Sequence, residues 1–408
     1  MTSHVQPQSR PGWLLLGPAF VAAIAYVDPG NVAANVSAGA QFGFLLVWVI
    51  VVANLMACLV QYLSAKLGLV TGTSLPEAVG ARMGRPARLA YWVQAELVAM
   101  ATDLAEVVGG AIALYLLFDL PLLVGGVITG VVSLILLLVK DRRGQQPFER
   151  VITGLLLVIA IGFLTSLIAS PPPAGAAAEG LLPRFDGAES ILLAAAMLGA
   201  TVMPHAVYLH SGLARDRHGH PEAGPARRTL LRVTRWDVGI AMLVAGAVNL
   251  SMLLVAATNL QGMDNTDSIE GAHAAVQSTL GAGVALLFAI GLLASGLASS
   301  SVGAYAGAMI MQGLLRRSVP LLARRLITLL PALAILAIGV DPSRALVLSQ
   351  VVLSFGIPFA LIPLVRLTSD AQLMGADVNH RVTTALGWIV AGLITLLNVV
   401  LIYLTLAG

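Results

Sequence analysis

The stretch from residue 11 to residue 65 sets the strongest limit on how this chain can fold, because almost no charge interrupts it. Asp28 is the only Asp, Glu, Lys, Arg or His within that stretch. Such a run is longer than the roughly 20 apolar residues that cross a bilayer core, and later runs exceed that length too. Of all 408 residues, 58% are hydrophobic and 11% are charged, against about 25% charged in a soluble domain. The sequence therefore predicts a multi-pass membrane protein.

The apolar runs are predicted to be helices, since they lack the alternation of apolar and polar residues that a membrane β-barrel requires. The predicted fold class is an all-α polytopic membrane protein with eleven transmembrane helices and one membrane domain covering residues 1–408. The predicted spans cover residues 12–41, 43–66, 88–118, 120–140, 149–170, 188–214, 232–258, 281–315, 320–340, 343–367 and 383–407.

Basic residues predict the orientation of these spans. All but two of the 23 Lys and Arg residues fall on one side of the membrane if the N-terminus is cytoplasmic, the exceptions being Arg184 and Arg344. Cytoplasmic connections carry such an excess. We expect a protein of the cytoplasmic (inner) membrane with its C-terminus outside. The net charge of +3 belongs to these connections, so no nucleic-acid partner is predicted.

Two predicted connections have a distinctive composition. Residues 215–231 are predicted to be a basic loop containing Pro221 and Pro225. The outer connection after the seventh span carries Asp264, Asp267 and Glu270, and a solvated acidic loop is expected there.

The first span contains Asp28-Pro29-Gly30-Asn31 near its centre. Proline removes a backbone donor and glycine permits unusual dihedral angles, so the helix is expected to unwind. Unwound backbone at bilayer depth is tolerated where it is buried or lines a cavity, and Asp28 and Asn31 would add oxygen ligands for a cation. A simple proline kink is the alternative, although an acid at mid-membrane usually marks a transport pathway.

The sixth span contains Met203-Pro204-His205, where Pro204 is expected to free carbonyls near Ala200 and Thr201. A thioether is a poor ligand for Mg²⁺ or Ca²⁺ and an acceptable one for Mn²⁺, Fe²⁺ or Cd²⁺. Met203 therefore favours a transition metal, with packing as its alternative role. His205 titrates near neutral pH and suits proton transfer. His210 is a candidate to extend that route or to pack between helices.

The two breaks fall at equivalent places in two halves of the chain. The first repeat would cover about residues 12–170, the second about 188–367, with an extra helix at about 383–407. Five spans in each half would insert in opposite directions, as in the inverted repeats of secondary transporters.

Three acids share one face of the third span. Glu96, Asp103 and Glu106 are seven and three residues apart, which places them on one helical stripe. Arg324 and Arg325 of the ninth span are the expected partners at membrane depth. The stripe either passes protons or forms a buried ion-pair network.

With both break motifs in spans one and six, the chain resembles the Nramp family of proton-coupled divalent-metal transporters over essentially all eleven spans. The resemblance implies the leucine-transporter-type fold, with metal held by Asp28, Asn31, Met203 and the backbone carbonyls of Ala25 and Ala200. It implies that Gln350 is a conformation-dependent ligand, and that Asp103 and Glu106 lie on the proton route with Arg324 beyond them and His205 assisting.

The predicted function is proton-coupled import of Mn²⁺, and of Fe²⁺ and Cd²⁺, by alternating access. The expected partners are these metal ions, protons and membrane lipid, with no cofactor and with a monomer as the functional unit. An ion-coupled symporter of an organic substrate is the alternative, though Asp28 would repel a substrate carboxylate. No nucleophile or HExxH motif supports an enzyme, and saturable flux would separate a carrier from a channel.

Overall fold

The computed structural model describes residues 17–263, 268–316 and 321–407, and within these ranges the chain contains helices and connections but no strand. The all-helical prediction is confirmed. The helices are α1 (Pro18–Ile24), α2 (Pro29–Phe42), α3 (Val47–Thr71), α4 (Leu75–Arg82), α5 (Arg85–Phe118), α6 (Leu122–Arg143), α7 (Gln145–Ala169), α8 (Ala174–Glu179), α9 (Gly187–Thr201), α10 (Pro204–His218), α11 (Pro225–Asn259), α12 (Ile269–Leu280), α13 (Ala282–Leu315), α14 (Leu321–Ile338), α15 (Pro342–Thr368), α16 (Ala371–Met374) and α17 (Arg381–Ala407).

Nine helical segments among the described residues are long and apolar enough to cross a membrane, so the chain is a multi-pass membrane protein. They are α3, α5, α6, α7, α9 with α10, α11, α13, α15 and α17. The two further spans expected from the sequence fall on the α1–α2 pair and on α14. Residues 12–16 and residue 320 of those two predicted spans lie outside the described residues.

The first helical break has the geometry that its sequence predicts. Helix α1 ends at Ile24, a short 3₁₀ segment covers Ala25–Val27, and Asp28 is extended with φ −70° and ψ 168°. Pro29 is the first residue of α2, a position where its missing N–H costs no hydrogen bond. Because a residue before proline avoids the helical region, the break falls at Asp28.

The second break repeats this arrangement. Helix α9 ends at Thr201, Met203 is extended with φ −64° and ψ 121°, and Pro204 begins α10. Asp28 and Met203 thus occupy the same kind of position, each at the N-cap of the second helix of its pair.

Glycines let neighbouring helices approach the breaks closely. A Cβ atom at Gly30 would overlap the side-chain amide of Gln350 in α15, and one at Gly199 in α9 would overlap the Gln350 backbone carbonyl. Both breaks therefore lie against the same residue of α15.

The predicted basic loop over residues 215–231 is wrong. Helix α10 continues to His218 and α11 begins at Pro225, which leaves a connection of residues 219–224. Charged groups extend the helices beyond the apolar core because they have partners. Arg215 pairs with Glu77, and buried Arg227 lies 3.5 Å from an oxygen of Asp377.

The prediction of a solvated acidic loop in the outer connection is also wrong where the structure describes that connection. Residues 269–280 form α12, and Glu270 in its first turn accepts a hydrogen bond from the Ser343 hydroxyl at 3.3 Å. Burial raises the pKa of the Glu270 carboxyl above its ordinary value. Asp264 and Asp267 lie outside the described residues.

The N-terminal end of α1 is held by a carboxylate from α11. The Asp237 side chain accepts the backbone N–H of Gly17 at 3.1 Å and that of Ala19 at 3.0 Å. Two otherwise unpaired donors of the first helical turn are satisfied in this way. The first half of the broken span is thereby fixed to the second half of the chain.

Replacing Asp237 with Ala should destabilise α1 by about 1–3 kcal/mol, because charge-assisted caps of this kind are worth about that much. Amide hydrogen exchange in α1 should become roughly tenfold faster or more, as measured by mass spectrometry of the detergent-solubilised protein. Asp370→Ala is the matched control, since Asp370 caps α16 through the N–H of Gln372. Unchanged exchange in α1 of the Asp237 variant would contradict this role.

Candidate metal site

Asp28 is fully buried at the first break, and its two oxygens differ in their surroundings. Oδ1 accepts the backbone N–H of Asn31 at 2.7 Å, which caps α2. Oδ2 has no hydrogen-bond partner among the described residues. One oxygen thus stabilises the helix while the other remains available to a ligand.

Asn31 is oriented by Asn249 of α11. The Asn31 amide nitrogen donates to the Tyr26 carbonyl at 2.5 Å and lies 3.3 Å from the Asn249 carbonyl oxygen. Asn249 in turn donates to the Tyr26 carbonyl at 2.7 Å. With its nitrogen used, Asn31 has its Oδ1 buried and without a partner.

Asn249 also accepts a hydrogen bond from Asn35 at 3.0 Å, so it joins two turns of α2 to the unwound backbone. Asn249 therefore bridges α2 and α11.

Gln350 brings a third amide to the breaks. Its nitrogen lies 3.3 Å from the Ser349 hydroxyl, and its Oε1 is buried without a partner. Helix α15 packs against both α2 and α9 here. The side chain therefore lies where both halves of the chain meet.

At the second break, Met203 and Ala200 are completely or almost completely buried. Ala25 is buried in the 3₁₀ segment, which packs against α9. The residues of the predicted ligand set thus come from the first break, the second break and the adjoining turn of α15.

The three unpartnered oxygens are the most informative feature of this region. Buried polar groups are almost always hydrogen-bonded, because leaving one without a partner costs about 1–3 kcal/mol. Asp28 Oδ2, Asn31 Oδ1 and Gln350 Oε1 are all acceptors, so none of them can satisfy another. Oxygen acceptors of this kind are the groups that bind cations. No cluster of three or more His, Cys, Asp or Glu suited to a metal occurs in the described ranges, but amide, thioether and carbonyl ligands are of other types.

Two acids of the α5 stripe are paired with arginines of α14. Arg325 lies 2.6 Å from Asp103 and also donates to the Ser133 hydroxyl at 2.7 Å and to that of Ser300. Arg324 lies 3.3 Å from Glu96 and donates to the Ala304 carbonyl at 3.1 Å. Both guanidinium groups are buried.

Glu106 differs from its two neighbours. It is completely buried, and neither carboxylate oxygen has a hydrogen-bond partner among the described residues. The carboxylate lies against Gly303 of α13, and Gly109, three residues further along α5, lies against Pro29 at the first break. Glu106 thus lies close to the contact between α5 and the first break, on the same helix as the two ion-paired acids.

The two histidines of α10 have separate partners. His205 Nδ1 lies 3.3 Å from the Thr102 hydroxyl of α5, next to Asp103 in the chain. His210 Nδ1 lies 2.6 Å from Gln61 Oε1, and the Gln61 amide donates to the Tyr26 hydroxyl. The Nε2 atoms of both rings are buried without a partner among the described residues.

Sequence reasoning missed the polar residues that support this site. Gln61 and Thr102 contact the predicted histidines of α10. Asn35 contacts Asn249, which itself orients Asn31. Isolated amides and hydroxyls at membrane depth were a usable signal, because such groups need partners in lipid.

Comparisons with known proteins agree with this architecture. The model of the family described as "Natural resistance-associated macrophage protein-like" (Nramp) matches residues 19–404. The chain is 74% identical to the divalent metal cation transporter MntH of Mycobacterium tuberculosis over 98% of this chain and 93% of that protein.

Among solved structures, a manganese transporter of Eremococcus coleocola is similar with a TM-score of 0.86 and 32% identity, over 97% of this chain and 88% of that one. The structure of MhsT with L-phenylalanine is similar with a TM-score of 0.61 over 93% of this chain and 98% of that one; at 14% identity, this likeness concerns the fold alone. From the match to the family model and the high identity to a curated relative, the chain belongs to the Nramp family.

Proposed function

We propose that this protein imports divalent transition metals across the cytoplasmic membrane in a proton-coupled, alternating-access cycle, with Mn²⁺ as the main cargo and Fe²⁺ and Cd²⁺ also accepted. The observation that carries the proposal is the trio of buried, unpartnered acceptor oxygens on Asp28, Asn31 and Gln350. Relatives named as divalent metal cation and manganese transporters support it.

The proposed ligand set combines hard and soft donors. Asp28 supplies a carboxylate, Asn31 and Gln350 supply amide oxygens, and Ala25 and Ala200 supply backbone carbonyls. Met203 supplies a thioether, a ligand suited to Mn²⁺, Fe²⁺ and Cd²⁺ but poor for Mg²⁺ and Ca²⁺. The equivalent N-cap positions of Asp28 and Met203 support a site shared by both breaks.

The proposed topology has eleven spans in two inverted repeats, with α1–α2 as the broken first span, α14 as the ninth and α17 as the added helix. Repeat one covers about residues 12–170 and repeat two about 188–367 within a single domain. The N-terminus is cytoplasmic, the C-terminus is outside, and the monomer transports.

The proposed cycle begins when metal enters from outside, loses most of its water and binds at the breaks. A divalent cation beside Asp28 favours the ionised carboxylate, so a proton leaves Asp28. Glu106 receives it, because its buried carboxylate has no hydrogen-bond partner among the described residues and its helix contacts Pro29 at the first break. The site then closes toward the outside and opens inward.

Around this route, Arg325 holds Asp103 as an ion pair, and Arg324 does so for Glu96. His205, beside Thr102, assists transfer near the break, and His210 extends the polar path through Gln61 to Tyr26. An unpaired carboxylate at membrane depth would favour its neutral form. In the proposed route, the arginines keep the paired acids ionised.

Replacing Asp28 with Ala should abolish Mn²⁺ uptake into proteoliposomes, because the only carboxylate of the proposed ligand set is lost. Asp341→Ala is a matched control, because Asp341 is an N-cap residue whose Oδ1 accepts the Arg344 N–H at 2.6 Å. This control variant loses a helix cap of the same kind but keeps every proposed metal ligand. Uptake at the parent rate by the Asp28 variant would refute the site.

Replacing Met203 with Ala should lower the preference for Cd²⁺ over Ca²⁺ by about tenfold or more, since loss of one soft donor should cost Cd²⁺ about 1.4 kcal/mol more than Ca²⁺. Isothermal titration with both ions measures the ratio. Met374→Ala serves as the control, because Met374 is a buried methionine of α16, which packs mainly against α15 and α3. If both variants kept the parent preference, the thioether would not be a ligand.

Replacing Glu106 with Gln should leave Mn²⁺ affinity within about threefold of the parent, equivalent to less than about 1 kcal/mol, while abolishing Mn²⁺-evoked proton entry. A pH-sensitive dye inside proteoliposomes reports the proton flux. Glu270→Gln is the control, since it neutralises a partly buried acid of α12 outside the stripe. Proton entry at the parent rate in the Glu106 variant would exclude Glu106 from the route.

A further inference from the structure

A cavity of about 640 Å³ lies between α4 and the last turns of α15, and none of the residues of the proposed metal and proton sites lines it. This volume falls within the roughly 300–1,000 Å³ typical of small-molecule sites. Arg82, in the last turn of α4, and Arg366, in the last turn of α15, both line it. Two cations thus share one cavity at the ends of two helices.

The guanidinium groups of the cavity are available to an anion. Arg82 donates one N–H to the Ala78 carbonyl of its own helix at 2.9 Å and retains its other donors. Arg366 makes no hydrogen bond or ion pair with any residue that the structure describes. Asp370 is the acid of the lining, and its Oδ1 accepts the Gln372 N–H at 2.9 Å.

The rest of the lining is largely apolar. Val79 and Met83 contribute from the α4 side and Ile362 from α15. The Ile362 side chain is 38% exposed on α15, a helix long and apolar enough to cross the membrane. A cavity that combines two arginines with an apolar lining suits an amphiphile better than a fully soluble anion.

We propose that this cavity binds an anionic phospholipid, with the phosphate between Arg82 and Arg366 and an acyl chain along Val79, Met83 and Ile362. The guanidinium fork matches phosphate oxygens in a bidentate manner. Basic pockets between membrane helices on the cytoplasmic side bind acidic headgroups, and the proposed orientation puts both helix ends on that side. The lipid bridges α4 to α15.

Native mass spectrometry of the purified protein tests this proposal, with phosphatidylglycerol as the probe and phosphatidylcholine of the same chain length for comparison. The test variant is Arg82→Gln with Arg366→Gln. The matched control is Arg228→Gln with Arg232→Gln, which removes two exposed arginines from the same predicted side. A photoactivatable phosphatidylglycerol then locates the bound lipid by peptide mapping.

The expected result is roughly tenfold to thirtyfold weaker phosphatidylglycerol binding in the test variant, since each basic group near the lipid contributes about tenfold or less. The control should stay within twofold of the parent by the same scale, and the photolabel should map to α4 or the end of α15. Equal weakening in both variants would indicate general surface charge and overturn the proposal. So would displacement of the lipid by inorganic phosphate at similar concentration, which would assign the cavity to a soluble anion.

Discussion

Every backbone donor and acceptor at bilayer depth must find a partner within the protein, and the two helical breaks depend on how this chain meets that demand. Unwinding at the first break frees carbonyls that a continuous helix would have used. Asn31 and Asn249 donate to the Tyr26 carbonyl, and the Ser295 hydroxyl donates to that of Val27 at 2.5 Å. Side chains from α11 and α13 therefore stabilise the irregular backbone by donating to its freed carbonyls.

Charged side chains at membrane depth also need partners within the protein. Asp103 and Glu96 each have an arginine within ion-pair distance, whereas Asp28 and Glu106 have none among the described residues. Breaking a buried pair is costly, so each paired acid is held in place by its arginine. The proposed function assigns a transient ion or proton to the two unpaired acids. The stripe thus contains the two ion pairs that its sequence allowed and one carboxylate without a hydrogen-bond partner among the described residues, while proton passage along it stays a prediction.

The sequence predicted the parts of this structure that follow from local chemistry. Proline placed both breaks, and the spacing of Glu96, Asp103 and Glu106 placed them on one face. It could not predict that Arg325 pairs with Asp103 while Arg324 pairs with Glu96, because those contacts join helices far apart in the chain. The extension of α10 to His218 was missed for the same reason: the charges of its last turns are stabilised by distant residues such as Glu77.

Gln350 touches both breaks at once, through its side chain at Gly30 and through its backbone at Gly199. Because neither glycine has a Cβ, the two contacts are close and leave no free space. Close-packed interiors have low compressibility, so they transmit small displacements instead of absorbing them. A shift of α15 by the width of a methyl group would be felt in both halves of the molecule together. Gln350 therefore couples the packing of the two breaks, because a change of shape at one break alters the contacts that Gln350 makes with the other.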